Sequence, residues 1–184
     1  MAFKILVTGN PNYGLAEAFG KIETADFASR ATGYDLSKKD DQIRLAELSL
    51  GYDVFVNNSA LNDFNQTRLL YRVWEMWKEN NHAGRIISIG STIDWSRRGR
   101  AWMYSVEKKA LMDASLELGT LGTWGETQIR MTYLSLGSLN TPKVAAKHPE
   151  RKLMDVGQAA GYISWVINSP PEININILHL DPMQ

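Results

Sequence analysis

The chain has 184 residues, enough for one domain with a sizeable core. Its 20 Lys and Arg balance 20 Asp and Glu, so net charge gives no argument for nucleic acid or an anionic membrane surface. It has no cysteine and only three scattered histidines, His82, His148 and His179, which excludes disulfides and thiolate chemistry and leaves no expected metal site.

The chain opens on a short apolar run, Lys4–Thr8 (KILVT), which ends at Gly9, and Gly14 follows five residues later. This spacing predicts strand, tight turn and helix. A glycine at the strand end permits the turn, and one at the helix start permits close approach of a pyrophosphate. The helix amino end adds free N–H groups and a positive partial charge. The loop therefore reads as a nucleotide-phosphate cradle or as an ordinary turn.

Ala25–Arg30 (ADFASR) is the candidate second strand. Ser37 followed by Asp40 reads as a capping-box variant opening the helix KKDDQIRLAEL. Tyr52–Asn58 is the next strand, after Gly51, and Asn65 opens a helix with Leu69, Leu70, Val73, Trp74 and Trp77 at helical spacing. Gly84–Ser91 is again strand. The helix beginning at Tyr104 carries Ala110, Leu111, Ala114 and Leu118 on one stripe. Ile129–Leu136 is a strand, followed by a loop, Ser135–Pro142 (SLGSLNTP). The helix DVGQAAGYISWVIN stops against the prolines of SPPE, and Ile175–Leu180 is the last strand.

These strands are short, β-branched and mostly continuous, the pattern of strands buried on both faces of a parallel sheet. Their alternation with helices predicts an α/β, Rossmann-like, doubly wound parallel sheet with helices on both faces, in a single domain over residues 1–184. No apolar run is long enough to span a bilayer, and the first residues lack the core and cleavage site of a signal peptide. The expectation is a cytoplasmic protein with neither membrane nor nucleic-acid partners.

The chemistry-bearing segment is YSVEK, Tyr104 to Lys108. Helical geometry places residues i and i+4 on one face, so the phenol and the ammonium can share a site. A nearby positive charge favours tyrosinate, and a phenol so tuned can act as a general acid or base. Ser91 stands thirteen residues earlier, at the end of the strand RIISIGS, where its hydroxyl can enter the same crevice.

With these parts in this order, the chain resembles the short-chain dehydrogenases/reductases, from about Lys4 to Leu180. TGNPNYG is similar to the family's TGxxxGxG loop, NNSA to NNAG, and SLGSLNTP to SPGxxxTP. Asn65, Ser91, Tyr104 and Lys108 match the Asn-Ser-Tyr-Lys tetrad with the usual Ser-to-Tyr spacing. Asp35 in YDLS looks like the aspartate after the third strand that contacts adenine.

The resemblance implies that Tyr104 exchanges a proton with the substrate oxygen. Lys108 would depress its pKa and hold the nicotinamide ribose. Ser91 would orient the carbonyl, and Asn65 would hold a water in a proton relay. It further implies a cofactor surface made by Gly9, Asn12, Tyr13, Gly14, Asp35, Leu36, Asn57, Ser59, Lys108, Leu139 and Thr141, the last anchoring the carboxamide. At the end of the second strand, Ser29 and Arg30 stand where NAD-binding members carry an acid, which favours NADP(H) over NAD(H). A shifted register placing Asp26 there would favour NAD(H).

The chain also departs from that pattern. The middle glycine of the first loop is absent and the loop is one residue short. Leu136 replaces the proline before Gly137, and Ser59-Ala60 replaces Ala-Gly. Only ATG separates Arg30 from Tyr34, so the helix between the second and third strands is expected to be lost. Four residues separate NNSA from Asn65, and the segment after Pro142 is brief. Trp95 and Trp102 flank the proposed site. The arginines of WSRRGR, Arg97, Arg98 and Arg100, suit either a solvated loop or an anionic substrate. The sequence reading is an NAD(P)(H)-dependent oxidoreductase acting on a small carbonyl or alcohol, forming a homodimer or homotetramer. Its alternative is a non-catalytic dinucleotide-binding redox sensor or regulatory protein of the same fold.

Overall fold

The computed structural model describes residues 2–95 and 102–183. Six parallel strands form one sheet in the order β2-β1-β3-β4-β5-β6: β1 (Ile5–Thr8), β2 (Asp26–Ala28), β3 (Val54–Asn57), β4 (Gly84–Ile89), β5 (Ile129–Leu136) and β6 (Ile177–Leu180). The helices are α1 (Gly14–Gly20), α2 (Lys39–Ser49), α3 (Asn65–Glu79), α4 (Met103–Thr123), α5 (Pro142–Lys147) and α6 (Val156–Ile167). The chain leaves β1 for the edge strand β2, then crosses back to β3. The strand order reverses between β1 and β3, which is where open α/β sheets form a ligand crevice.

Alternate residues of each strand serve two cores. Leu6, Phe55, Ile86 and Tyr133 face α2, α3 and α4, where they meet Leu45, Leu69, Leu70, Val73, Trp77 and Leu111. Ile5, Val7, Val56, Ile87 and Leu134 face α1 and α6, against Leu15, Phe19, Ala159, Ile163 and Val166. The apolar stripe read on the third helix is thus internal. Trp77 is fully buried and its indole Nε1 donates to Ser49 Oγ at 2.8 Å. This bond satisfies a polar atom that burial would otherwise strand.

Two local expectations differ from the structure. The segment around Tyr34 is not a third strand. Arg30–Thr32 is a 3-10 turn, Gly33 turns the chain at φ +87°, and the backbone runs into α2. A parallel neighbour needs a crossover of about a dozen residues or more, and the few after Arg30 cannot supply one. What is missing is therefore the outer strand and its connection, which leaves β2 at the edge. Nor does Ser37 cap α2. Its hydroxyl donates to Asp35 Oδ1 at 2.7 Å, and Asp41, inside the first turn, accepts from the Asp35 N–H at 2.8 Å. Asp35 outcompetes the helix for Ser37, and Asp41 reaches back instead.

Candidate active site

The loops after β1, β3 and β5 meet beside the switch point. After β1, Gly9 takes φ +149°, and a Cβ there would stand 2.7 Å from Asn58 Nδ2 and 2.8 Å from Ala16 Cβ. Only glycine fits. Asn58 Nδ2 donates to the Thr8 carbonyl at 2.8 Å, while Thr8 Oγ1 accepts from the N–H groups of Asn58 (2.8 Å) and Ser59 (2.9 Å). The sequence reading missed Asn58, the second asparagine of NNSA, which locks the two loops together. Asn12 and Tyr13 are exposed on the rim, and Gly14 opens α1 at φ +62°. A Cβ on Gly14 would lie 3.5 Å from Thr141 Cγ2, so the loop after β5 closes against the start of α1. Thr141 caps α5 by accepting from the Val144 N–H at 3.4 Å, and Leu139 bridges to Met154, which folds the brief segment after Pro142 back on itself.

Ser91 follows β4, and Tyr104 and Lys108 lie in the first two turns of α4. The Ser91 hydroxyl lies near enough to the Tyr104 phenol to pull its pKa down. Tyr104 keeps 38% of its surface exposed, whereas Lys108 keeps 4%. The Lys108 ammonium lies 5.6 Å from the Tyr104 ring centroid and donates to Gln66 Oε1 at 2.7 Å and to the Ile89 carbonyl at 2.9 Å. A small cavity beside them is lined by Asn62, Phe64, Thr67, Tyr104, Glu107 and Lys108, among others.

The electrostatics correct one expectation. The Tyr104 pKa is raised, not lowered. Burial is the main cause, the nearby Ser91 hydroxyl acts in the opposite direction, and Asp94 and Glu107 raise it further. The Lys108 ammonium, 5.6 Å from the ring centroid and bonded to Gln66 and Ile89, does not outweigh that burial. Burial lowers the lysine from its ordinary 10.5 to about 8, against the pull of Asp94 and Glu107. Asp94 is a second residue missed in the sequence. It is buried, accepts from the Tyr133 hydroxyl at 2.5 Å and from Ser135 Oγ at 3.2 Å, and lies three residues after Ser91. Its only sequence signal was a lone acid between Ser91 and Tyr104.

Other expected residues are placed less directly. Asn65 opens α3, but its side chain is engaged locally: Nδ2 donates to the Asn62 carbonyl at 2.8 Å, and Oδ1 accepts from Gln42 Nε2 at 3.1 Å. Asn57 is fully buried, with Nδ2 donating to the Gln66 carbonyl at 3.0 Å, so its side chain does not reach the crevice. Leu36 lies in the core. Ser29 Oγ is enclosed, whereas Arg30 projects outward and its Nη2 lies 3.2 Å from Asp35 Oδ1. The Asp35 carboxyl is held below its ordinary range, first by the Ser37 hydrogen bonds and then by Arg30. Asp26 is on β2 itself and accepts from the Tyr52 hydroxyl at 2.9 Å, away from the strand's carboxyl end. Ser59 is half-buried at the β3 end. Trp95 and Trp102 are half or more exposed, and the Trp95 ring meets His179 edge-on at 5.0 Å. Arg97, Arg98 and Arg100 lie outside the described residues.

No protein-family model matches the sequence, and no curated protein matches it significantly. Solved structures do match in three dimensions. A short chain dehydrogenase/reductase family protein superposes with TM-score 0.75 at 16% identity, covering 97% of this chain and 95% of that one. This chain has the short-chain dehydrogenase/reductase fold. A serine dehydrogenase complexed with NADP+ gives TM-score 0.71 at 19% identity, covering 96% and 93%. A 3-ketoacyl-(acyl-carrier-protein) reductase from Brucella melitensis complexed with NADH gives 0.69 at 17%, covering 97% and 96%. The likeness runs nearly end to end in both chains.

Proposed function

We propose that the protein is an NAD(P)(H)-dependent oxidoreductase of the short-chain dehydrogenase/reductase family, interconverting a carbonyl and an alcohol on a small substrate. One observation carries this reading. Ser91 stands beside Tyr104 after β4, with Lys108 beneath the phenol ring, and the Gly9–Gly14 loop packs close to Thr141. The glycine positions, the free N–H groups at the start of α1 and the outward guanidinium of Arg30 fit a dinucleotide. When bound, such a cofactor supplies or accepts the hydride.

The chain's own residues supply the rest. Ser91 donates to the substrate oxygen and fixes its place beside Tyr104. The Tyr104 hydroxyl gives its proton to that oxygen in reduction and takes it back in oxidation. Its raised pKa keeps it protonated at neutral pH, the form reduction needs. The Lys108 ammonium under the ring stabilises the phenolate formed as the proton leaves. Arg30 favours NADP(H), because its guanidinium can pair with a 2′-phosphate. The Asp35 carboxylate beside Arg30 favours the second reading, NAD(H), since an acid there accepts from ribose hydroxyls. The brief segment after Pro142 suits a small substrate. The arginines after Trp95 would suit an anionic one. A homodimer or homotetramer belongs to the same proposal, with the exposed Met103 and Val106 of α4 as contact surface. The test follows nicotinamide absorbance over a panel of small aldehydes, ketones and oxo acids. Turnover lost in Tyr104→Phe and Ser91→Ala supports the reading. Tight cofactor binding without turnover on any member supports the sensor alternative.

A further inference from the structure

We propose that Gln66 is the positioning residue of the site: its side chain clamps the Lys108 ammonium directly and fixes which of its protons faces the crevice. This deepens the oxidoreductase reading and rests on it only for the catalytic consequence.

The clamp is fully specified by donors and acceptors. Gln66 is 4% exposed, and its Nε2 donates to the carbonyls of Asn57 at 2.8 Å and Ile89 at 3.1 Å. Those carbonyls end β3 and β4. With both amide hydrogens committed there, Oε1 is turned away from those carbonyls, and it accepts from Lys108 Nζ at 2.7 Å. A flipped amide would set its oxygen against two carbonyls and its NH2 against an ammonium, so the orientation has no competitor. Asn57 Nδ2 returns a bond to the Gln66 backbone carbonyl at 3.0 Å, which holds the start of α3 to the end of β3. Lys108 Nζ carries three protons. Gln66 Oε1 and the Ile89 carbonyl take two, which leaves one for the crevice. Asn65, the tetrad candidate next door, has its amide spent on Asn62 and Gln42.

The groups facing Lys108 among the described residues are Tyr104 and Glu107 on α4, Asp94 after β4, and Tyr133 on β5, whose hydroxyl reaches the Lys108 carbonyl at 3.2 Å. None of the two carboxylates bonds the ammonium, so Gln66 is its polar side-chain partner. Removing that acceptor disfavours the charged form. A carboxylate in its place favours it.

The experiment titrates the intact protein by NMR, with lysines labelled at Cε and Nζ and the Lys108 signal assigned by its loss in Lys108→Met. Gln66→Met should move the Lys108 midpoint down, and Gln66→Glu should move it up by about one unit or more. Both variants lose the bonds to Asn57 and Ile89, so both should melt lower. A purely structural role would produce that loss without opposite titration shifts. The alkaline limb of kcat should follow each midpoint. Lys108 midpoints unchanged in either folded variant overturn the clamp. Absence of turnover in the wild type would count against the oxidoreductase reading and leave the titration result standing.

Discussion

At residue 108 the chain places an ammonium beneath its surface, with no ion pair to a carboxylate among the described residues. The folded pKa, about 8, lies below the ordinary 10.5. Between these values the unfolded chain binds the proton and the folded chain does not. Stability therefore rises with pH across that window and is lowest, in this term, below about 8. Measured against Lys108→Met, the wild type should gain about 3 kcal/mol of unfolding free energy from pH 7 to pH 11. Paired denaturant melts at the two pH values check this, and a flat difference would contradict it. Tyr104 allows a kinetic prediction. Tyr104→Phe removes the proton and keeps the ring over Lys108. We expect kcat to fall by about 10² to 10⁴ while the cofactor Kd moves by less than about threefold. A parallel loss of binding and turnover would place the hydroxyl in cofactor binding instead.

Among the elements, the junction of β4, β5 and α4 is the most tightly set. A Cβ on Gly90 would stand 2.0 Å from the Tyr133 oxygen and 2.1 Å from the ring carbon that bears it. Gly90→Ala must push Tyr133 off Asp94, and we expect a loss of more than about 3 kcal/mol. Tyr133→Phe should not rescue it, because the ring carbon remains in place. Thermal melts of the single and double variants read both effects. The same junction shows what could be read from the chain. β4, β5 and α4 were legible because their apolar periods are long and uninterrupted. Ser91, Tyr104 and Lys108 were legible because their spacing is local. Gln66, Asn58 and Asp94 were not, because each works through partners far away in sequence: Lys108 for Gln66, Thr8 for Asn58, and Tyr133 for Asp94. The segment around Tyr34 misled for another reason. Asp35 carries the expected residue type, but the chain after Arg30 is too short to return a parallel strand beside β2.

For the whole molecule, the consequence of losing the outer strand is an open sheet edge at β2, next to the place where Arg30 and Asp35 meet. On the proposed reading the adenosine half of a dinucleotide would rest on that edge, and the nicotinamide half would meet Ser91, Tyr104, Lys108 and Thr141. Affinity should therefore depend heavily on Arg30. Arg30→Ala should weaken NADPH by about tenfold and NADH by much less, the loss of one charge-assisted contact to a phosphate. Equal losses for both would assign Arg30 to the loop through its bond to Asp35. Light scattering gives the assembly directly: the proposal expects two or four chains, and a monomer at all concentrations would remove it.

The most direct measurement is a fluorescence titration of the purified protein with NADPH and, separately, NADH, read by energy transfer from its tryptophans. The account predicts saturable binding with NADPH the tighter ligand. Absence of saturation with either, and with NAD+ and NADP+ as well, would contradict it, because the loops carrying Gly9, Gly14 and Thr141 would then not form a dinucleotide site.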